Sequence, residues 1–239
     1  MSYTATCGAQ SGGGSSPITV GGLTNGVAVS CTVFATNAIG PGAPSAASNT
    51  VTPAGAPGAP TAVVATAGNG QVSVAFTAPA SNNGSAIISY TAECGGPVFT
   101  GPGSPIVVTG LSNGTPVSCT VFATNGVSNG PASAPSNTVT PATVPNAPTA
   151  VVATAGSSQV TVSFTVPGDN GGSAITGYTA TCGTQSMNGA ASPIVVAGLS
   201  NGVAVTCTVV ANNGIGPSAA SAPSNSVTPT DALFANGFD

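Results

Sequence analysis

The feature that most constrains this chain is that it repeats itself. Ala147-Pro148-Thr149-Ala150-Val151-Val152-Ala153-Thr154-Ala155-Gly156 reproduces Ala59-Pro60-Thr61-Ala62-Val63-Val64-Ala65-Thr66-Ala67-Gly68 without a mismatch, at an offset of 88 residues (147 against 59). Tyr90 and Tyr178, Cys94 and Cys182, and Cys119 and Cys207 share that offset, while Tyr3 and Cys7 stand 87 residues before Tyr90 and Cys94. Such a period confines the chain to tandem copies of one small folding unit. Three copies are present, and the first is incomplete.

Within the third copy, strand-like segments fall near 148–154, 158–165, 175–182, 193–197, 203–212 and 220–228, separated by Gly, Asn, Asp, Ser and Pro clusters. In Val203-Ala204-Val205-Thr206-Cys207-Thr208-Val209-Val210-Ala211 the odd positions line one face, as a sheet with one face on a core requires. The apolar fraction of 41% is mostly Ala and Val with no Trp, which favours half-buried strands over wide helical stripes. The 34 Gly and 21 Pro recur at fixed places between the apolar runs, so they read as turns rather than as disorder. Short strands of this number and spacing predict an all-β chain of sandwiches.

At this point the residues resemble a known family. The Ala-Pro start of the first strand, the middle strand Ile175-Thr176-Gly177-Tyr178-Thr179-Ala180-Thr181-Cys182, the run Val196-Ala197-Gly198-Leu199-Ser200-Asn201-Gly202 and the segment Val209-Val210-Ala211-Asn212-Asn213-Gly214-Ile215-Gly216 look like a fibronectin type III domain. The resemblance spans nearly the whole chain and implies tandem immunoglobulin-like sandwiches. One departure is that Val29, Val117 and Val205 stand where the family usually carries a Tyr early in the sixth strand.

The resemblance also bears on the cysteines. Cys7 and Cys31, Cys94 and Cys119, and Cys182 and Cys207 are 24, 25 and 25 residues apart. Both members of each pair fall on strands that are antiparallel neighbours in the family fold, which implies three local disulfides. Secreted bacterial repeats of this kind are similar in carrying paired cysteines. Closing a loop of this length stabilises by roughly 3 kcal/mol in the chain-entropy model. Buried free thiols or a metal site are the alternatives, although the chain offers no His and no C-x-x-C. Disulfides imply an oxidising compartment reached by export, hence an extracellular or cell-surface setting.

The expected organisation is a partial repeat over 1–55 that lacks its first two strands, repeats over 56–143 and 144–230, and a tail over 231–239. The linkers Pro53-Ala54-Gly55-Ala56-Pro57-Gly58-Ala59-Pro60 and Pro141-Ala142-Thr143-Val144-Pro145-Asn146-Ala147-Pro148 are proline-rich and read as semi-rigid spacers, giving a rod. Met1-Ser2-Tyr3 leads straight into a strand-like segment with no leader visible, so a piece of a longer array or a misplaced start is expected. No apolar run is long enough for a spanning helix, and membrane insertion is not expected.

Charge excludes several functions. The chain has no Lys, Arg or His, and its acids are Glu93, Asp169, Asp231 and Asp239, so nothing neutralises phosphate or anionic lipid and nucleic acid is not a partner. Acid–base chemistry would need a base beside a nucleophile or paired carboxylates, yet Glu93 and Asp169 occupy non-equivalent places in different repeats. No catalytic residue and no cofactor is expected. Asp169-Asn170-Gly171-Gly172 reads as a turn rather than a calcium loop, because the equivalent Ser81-Asn82-Asn83-Gly84 lacks the acid. Asn83-Gly84-Ser85 and Asn113-Gly114-Thr115 match the N-glycosylation acceptor pattern but read as turn chemistry. The loops Asn125-Gly126-Val127-Ser128-Asn129-Gly130 and Asn213-Gly214-Ile215-Gly216 contain no Arg-Gly-Asp and no aromatic platform for a sugar.

The tail Ala232-Leu233-Phe234-Ala235-Asn236-Gly237-Phe238-Asp239 abandons the repeat. It resembles Phe-Gly-Phe-acid endings of secreted bacterial proteins, which implies a sorting role for Phe234, Gly237, Phe238 and Asp239, with a frayed or packed tail as the alternative. The function expected is a non-catalytic extracellular spacer or adhesion module within a larger protein. The alternative is an accessory carbohydrate-binding module of a polysaccharide-degrading enzyme. Expected partners are a protein or polysaccharide surface, or other copies of the chain, since no lysine guards a strand edge.

Overall fold

A computed structural model of the chain describes residues 1–230. Every regular element among them is a β-strand. The first repeat supplies β1 (Ser2–Cys7), β2 (Gln10–Gly14) and β3 (Cys31–Thr36). The second supplies β4 (Thr61–Gly68), β5 (Gln71–Thr77), β6 (Ile87–Cys94), β7 (Val98–Gly101), β8 (Ile106–Thr109) and β9 (Cys119–Asn125). The third supplies β10 (Thr149–Ala155), β11 (Gln159–Thr165), β12 (Ile175–Cys182), β13 (Gln185–Gly189), β14 (Ile194–Ala197) and β15 (Cys207–Asn213). They form five three-stranded sheets, ordered β2-β1-β3, β4-β5-β8, β7-β6-β9, β10-β11-β14 and β13-β12-β15. The fold is all-β, with tandem β-sandwiches, and the first repeat supplies one three-stranded sheet.

The chain divides into two compact units. One comprises Met1–Ala65, Ser73–Val108 and Ser118–Asn137, and the other comprises Thr66–Val72, Thr109–Val117 and the chain from Thr138 onward. The division runs through the second repeat, so the third repeat, which lies whole within one unit, shows the packing most clearly.

There, alternation decides which face is buried. Val160, Val162 and Phe164 of β11 point inward, as do Tyr178, Ala180 and Cys182 of β12 and Cys207, Val209 and Ala211 of β15, and these residues form one core with Ile194 and Val196 of β14. Fully burying a valine contributes roughly 1.5–3 kcal/mol, so the many small side chains together form an adequate core. The one aromatic pair in it is Phe164 with Tyr178, tilted with ring centroids 4.8 Å apart. Phe76 and Tyr90 repeat this pair at 4.9 Å in the first unit.

Three local features depart from the sequence expectation. The strand expected over 203–212 begins only at Cys207, because Val205 makes a single bridge to Val227 and Val203 lies in a turn. No strand forms over 220–228. Instead, Cys207, Val209 and Ala211 donate their N–H groups to the hydroxyls of Ser224, Ser221 and Ser218 at 2.9, 2.9 and 3.0 Å. The same serines return their own N–H groups to those strand carbonyls at 2.8, 2.9 and 2.7 Å. A partner that meets a two-residue strand period with every third residue cannot be a β-strand, so serine side chains complete the ladder. Finally, β13 pairs with β12 although its sequence, Gln185-Ser186-Met187-Asn188-Gly189, shows no apolar alternation. A tight turn at Gly183 (φ +59°) folds it back onto β12.

The β10–β11 turn contains Ser158 at φ +52°, where the second repeat has Gly70 at +62°. A residue with a Cβ is strained in that region. Ser158→Gly is expected to raise unfolding stability by about 0.5–1 kcal/mol, checked by urea denaturation; a loss would show that the hydroxyl has a role of its own.

Candidate functional site

Each cysteine stands directly across from its partner in the sheet: Cys7 opposite Cys31, Cys94 opposite Cys119 and Cys182 opposite Cys207. Disulfides join all three pairs, with Cα atoms 4.2, 4.3 and 4.2 Å apart. The backbone N–H of Cys207 turns away from Cys182 to Ser224, as that of Cys119 does to Ser136. These are therefore non-hydrogen-bonded cross-strand positions, where side chains approach most closely.

The other candidate residues are not brought together. Asp169 is exposed, and its Oδ1 accepts the N–H of Gly171 at 2.8 Å, closing a turn. Glu93 lies on β6, a strand of the other unit's sheet β7-β6-β9. Among the described residues no three His, Cys, Asp or Glu side chains gather as metal ligands, and no helix is long and apolar enough to cross a membrane. The amide nitrogens of both glycosylation-pattern asparagines are engaged in local structure. Asn83 Nδ2 donates to the Ala56 carbonyl, and Asn113 Nδ2 donates to Asn69 Oδ1 at 2.8 Å. Residues Phe234, Gly237, Phe238 and Asp239 lie outside the described residues.

What the structure does build is a pair of clasps on the linkers, one in each unit. In the second unit, buried Asn213 at the end of β15 donates Nδ2 to the carbonyls of Thr143 and Asn170 at 2.8 and 2.9 Å. Its Oδ1 accepts the N–H groups of Ile215 and Gly216 at 2.9 and 3.1 Å, so one amide ties the linker to two loops. Thr143 N–H to Gly171 O at 2.8 Å and Asn146 N–H to Asp169 O at 3.1 Å complete the attachment.

In the first unit, buried Asn125 donates to the carbonyls of Gly55 and Asn82 at 2.7 and 3.0 Å and accepts from Val127 and Ser128 at 2.9 and 3.1 Å. Gly55 N–H to Asn83 O at 2.9 Å and Gly58 N–H to Ser81 O at 3.0 Å attach that linker in the same manner. Sequence reasoning missed these two asparagines. The available signal was their recurrence at the 88-residue offset (213 against 125).

A second surface is polar. Outward residues of the sheet β13-β12-β15 form an uncharged ladder: Thr179 Oγ1 bonds Asn188 Oδ1 at 2.8 Å, Asn212 Nδ2 reaches Thr179 at 3.3 Å, and Thr181 meets Ser186 at 2.8 Å. The depression beside it, about 590 Å³, is lined by Thr176, Thr179, Asn188 and Asn212 and by Tyr178, which is itself buried in the core.

No protein-family model matches the chain, and no curated protein matches it. Among solved structures it is similar to the FN1–FN3 domains of chicken CNTN1, at 18% identity over 96% of this chain and 89% of that one, with a TM-score of 0.36. It is also similar to domains A168–A170 of titin, at 19% identity over 84% and 75% of the two chains, with a TM-score of 0.43. Titin kinase with its flanking domains matches at 25% identity over 37% of this chain and 18% of that one, with a TM-score of 0.34. Scores at this level assign neither a family nor a function to the chain.

Proposed function

We propose that the chain is a non-catalytic extracellular spacer whose linkers are pinned rather than free. The clasps carry this reading. A proline-rich linker left to itself is only semi-rigid, but one whose backbone is bonded to the loops of the next repeat loses most of its remaining freedom. Three disulfides in 239 residues support an oxidising setting. The absence of Lys and Arg from the sequence removes every trypsin site. Contact with other surfaces falls naturally to the loops after β3, β9 and β15, where Ile39, Val127 and Ile215 are exposed at equivalent positions.

The test has two arms. Asn213→Ala leaves the Thr143 and Asn170 carbonyls without their donor, and is expected to cost about 1–3 kcal/mol and to open the 141–146 linker to a broad-specificity protease. Unchanged stability and cleavage would remove the clasp as the basis of the reading. A pull-down against insoluble polysaccharides is expected to retain none of the protein; retention at micromolar affinity would overturn the spacer in favour of a carbohydrate-binding module.

A further inference from the structure

Within each unit, turns from successive repeats meet through bare glycine backbone. In the second unit the turn Ser112-Asn113-Gly114, which follows β8, lies against the turn Asp169-Asn170-Gly171-Gly172 between β11 and β12. A Cβ placed on Gly172 would fall on the Gly114 nitrogen and 2.6 Å from the Asn113 carbonyl carbon, and one placed on Gly114 would come within 3.2 Å of Gly172 Cα. Next to it, a Cβ on Gly171 would fall on the Thr143 carbonyl oxygen and 2.5 Å from that of Val144, both in the linker. The first unit has the same arrangement 88 residues earlier (84 against 172, 26 against 114). There a Cβ on Gly84 would stand 2.5 Å from the Pro53 carbonyl oxygen, 2.7 Å from the Gly26 nitrogen and 3.0 Å from Gly26 Cα.

Both members of each contact are shaped by their own turns. Gly26 and Gly114 sit at φ +79° and +84°, and their N–H groups donate to the carbonyls of Pro53 and Pro141 at 2.9 and 2.8 Å, which ties each turn to the proline that opens the linker. Gly84 and Gly172 sit at φ +85° and +81°, and their N–H groups donate to Asn82 Oδ1 and Asn170 Oδ1 at 3.1 and 2.9 Å. Left-handed backbone that carries no Cβ is what lets the two turns touch main chain to main chain. Interfaces between domains of one chain are by default small, polar and mobile. With no Lys, Arg or His, this chain has no side-chain cation with which to fix one by an ion pair, so close backbone contact has to supply the geometry.

We propose that this contact is a docking site between repeats, in which the turn carrying Gly84 or Gly172 receives one kind of partner: the Asn-Gly turn of the preceding repeat, already bonded to the first proline of the linker. Gly84 and Gly172 are positioning residues. A repeat with any side chain at this place could not follow its predecessor in the same register. In the second unit the docked turn is also the one the clasp uses, since Asn213 Nδ2 joins the Asn170 carbonyl to that of Thr143 in the linker. The inference rests on the pinned-linker reading and adds what brings linker and turn together for the clasp to close.

Magnetic resonance on the full disulfide-bonded chain tests it. In the parent protein a nuclear Overhauser contact is expected between the α-protons of Gly114 and Gly172. Gly172→Ala is expected to abolish that contact and to lower the exchange protection of the Thr143 amide by about tenfold or more. The control is Gly202→Ala in the same repeat. Gly202 has φ +80°, and no atom of the described residues lies within 4 Å of the place its Cβ would take. Both variants carry the cost of alanine in left-handed backbone, so only the first should disturb the linker. Should Gly172→Ala fail to fold, Gly114→Ala reaches the same contact from the second repeat and is expected to lower Thr143 protection several-fold. Absence of the α-proton contact in the parent, or Thr143 protection equal in these variants and in Gly202→Ala, would overturn the docking site and leave the spacer standing. A Thr143 amide unprotected in the parent would overturn both.

Discussion

Replacing Cys182 and Cys207 together by alanine is expected to lower the unfolding stability of the third repeat by about 3–5 kcal/mol, the largest effect of any change considered. Two losses combine. The disulfide closes a span of 25 residues, which in the chain-entropy model removes roughly 3 kcal/mol of freedom from the unfolded state. Both sulfurs also belong to the core, where each cysteine is fully buried against Val160, Val162 and Val209 as part of one cluster. For a unit of this size each kcal/mol moves the melting temperature by roughly 4–8 °C, so a fall of about 12–40 °C should be seen by calorimetry. A fall of only a degree or two would mean that the small-residue core holds the sandwich without its staple.

Phe164→Ala is the next largest, with an expected cost of about 3–5 kcal/mol. The reason lies in the composition. The whole chain has seven Phe, three Tyr and no Trp, and the core around Phe164 is otherwise Val, Ala, Cys, Ile and Leu with the single partner ring of Tyr178. Neighbours that small and stiff cannot swing into the space a phenyl ring leaves, so the cavity persists and its cost adds to the lost transfer energy. Phe76→Ala provides an internal comparison. Phe76 makes the same ring contact with Tyr90 but is only half-buried, so its loss should cost less in urea denaturation. Equal losses would show that the aromatic contact rather than burial sets the energy.

What could be read from the sequence follows from how much each residue type commits itself. Val160, Val162 and Phe164 alternate with Thr161 and Ser163, and that pattern alone decides which face of β11 is buried. The same holds for β15 from Cys207 onward. The segment 220–228 misled, because its Ser and Val content suits a strand while its serines at every third residue bond a strand edge in another way. Strand β13 left no trace, since a strand exposed on both faces needs no apolar alternation.

The clasps were hidden for a related reason. Asn125 and Asn213 look like ordinary loop asparagines, and only the path of the linker shows that their second amide hydrogen-bonding edge reaches backward by 70 residues.

Amide hydrogen exchange at Gly55 and Thr143 tests the pinned linkers most directly, because each N–H is bonded to a loop carbonyl, at 2.9 Å to Asn83 and 2.8 Å to Gly171. Both amides are expected to exchange about 100-fold or more slowly than in an unstructured chain, and to lose that protection in Asn125→Ala and Asn213→Ala respectively. Exchange at the unstructured rate in the parent protein would mean that the linkers swing freely, and the pinned spacer would have to be abandoned.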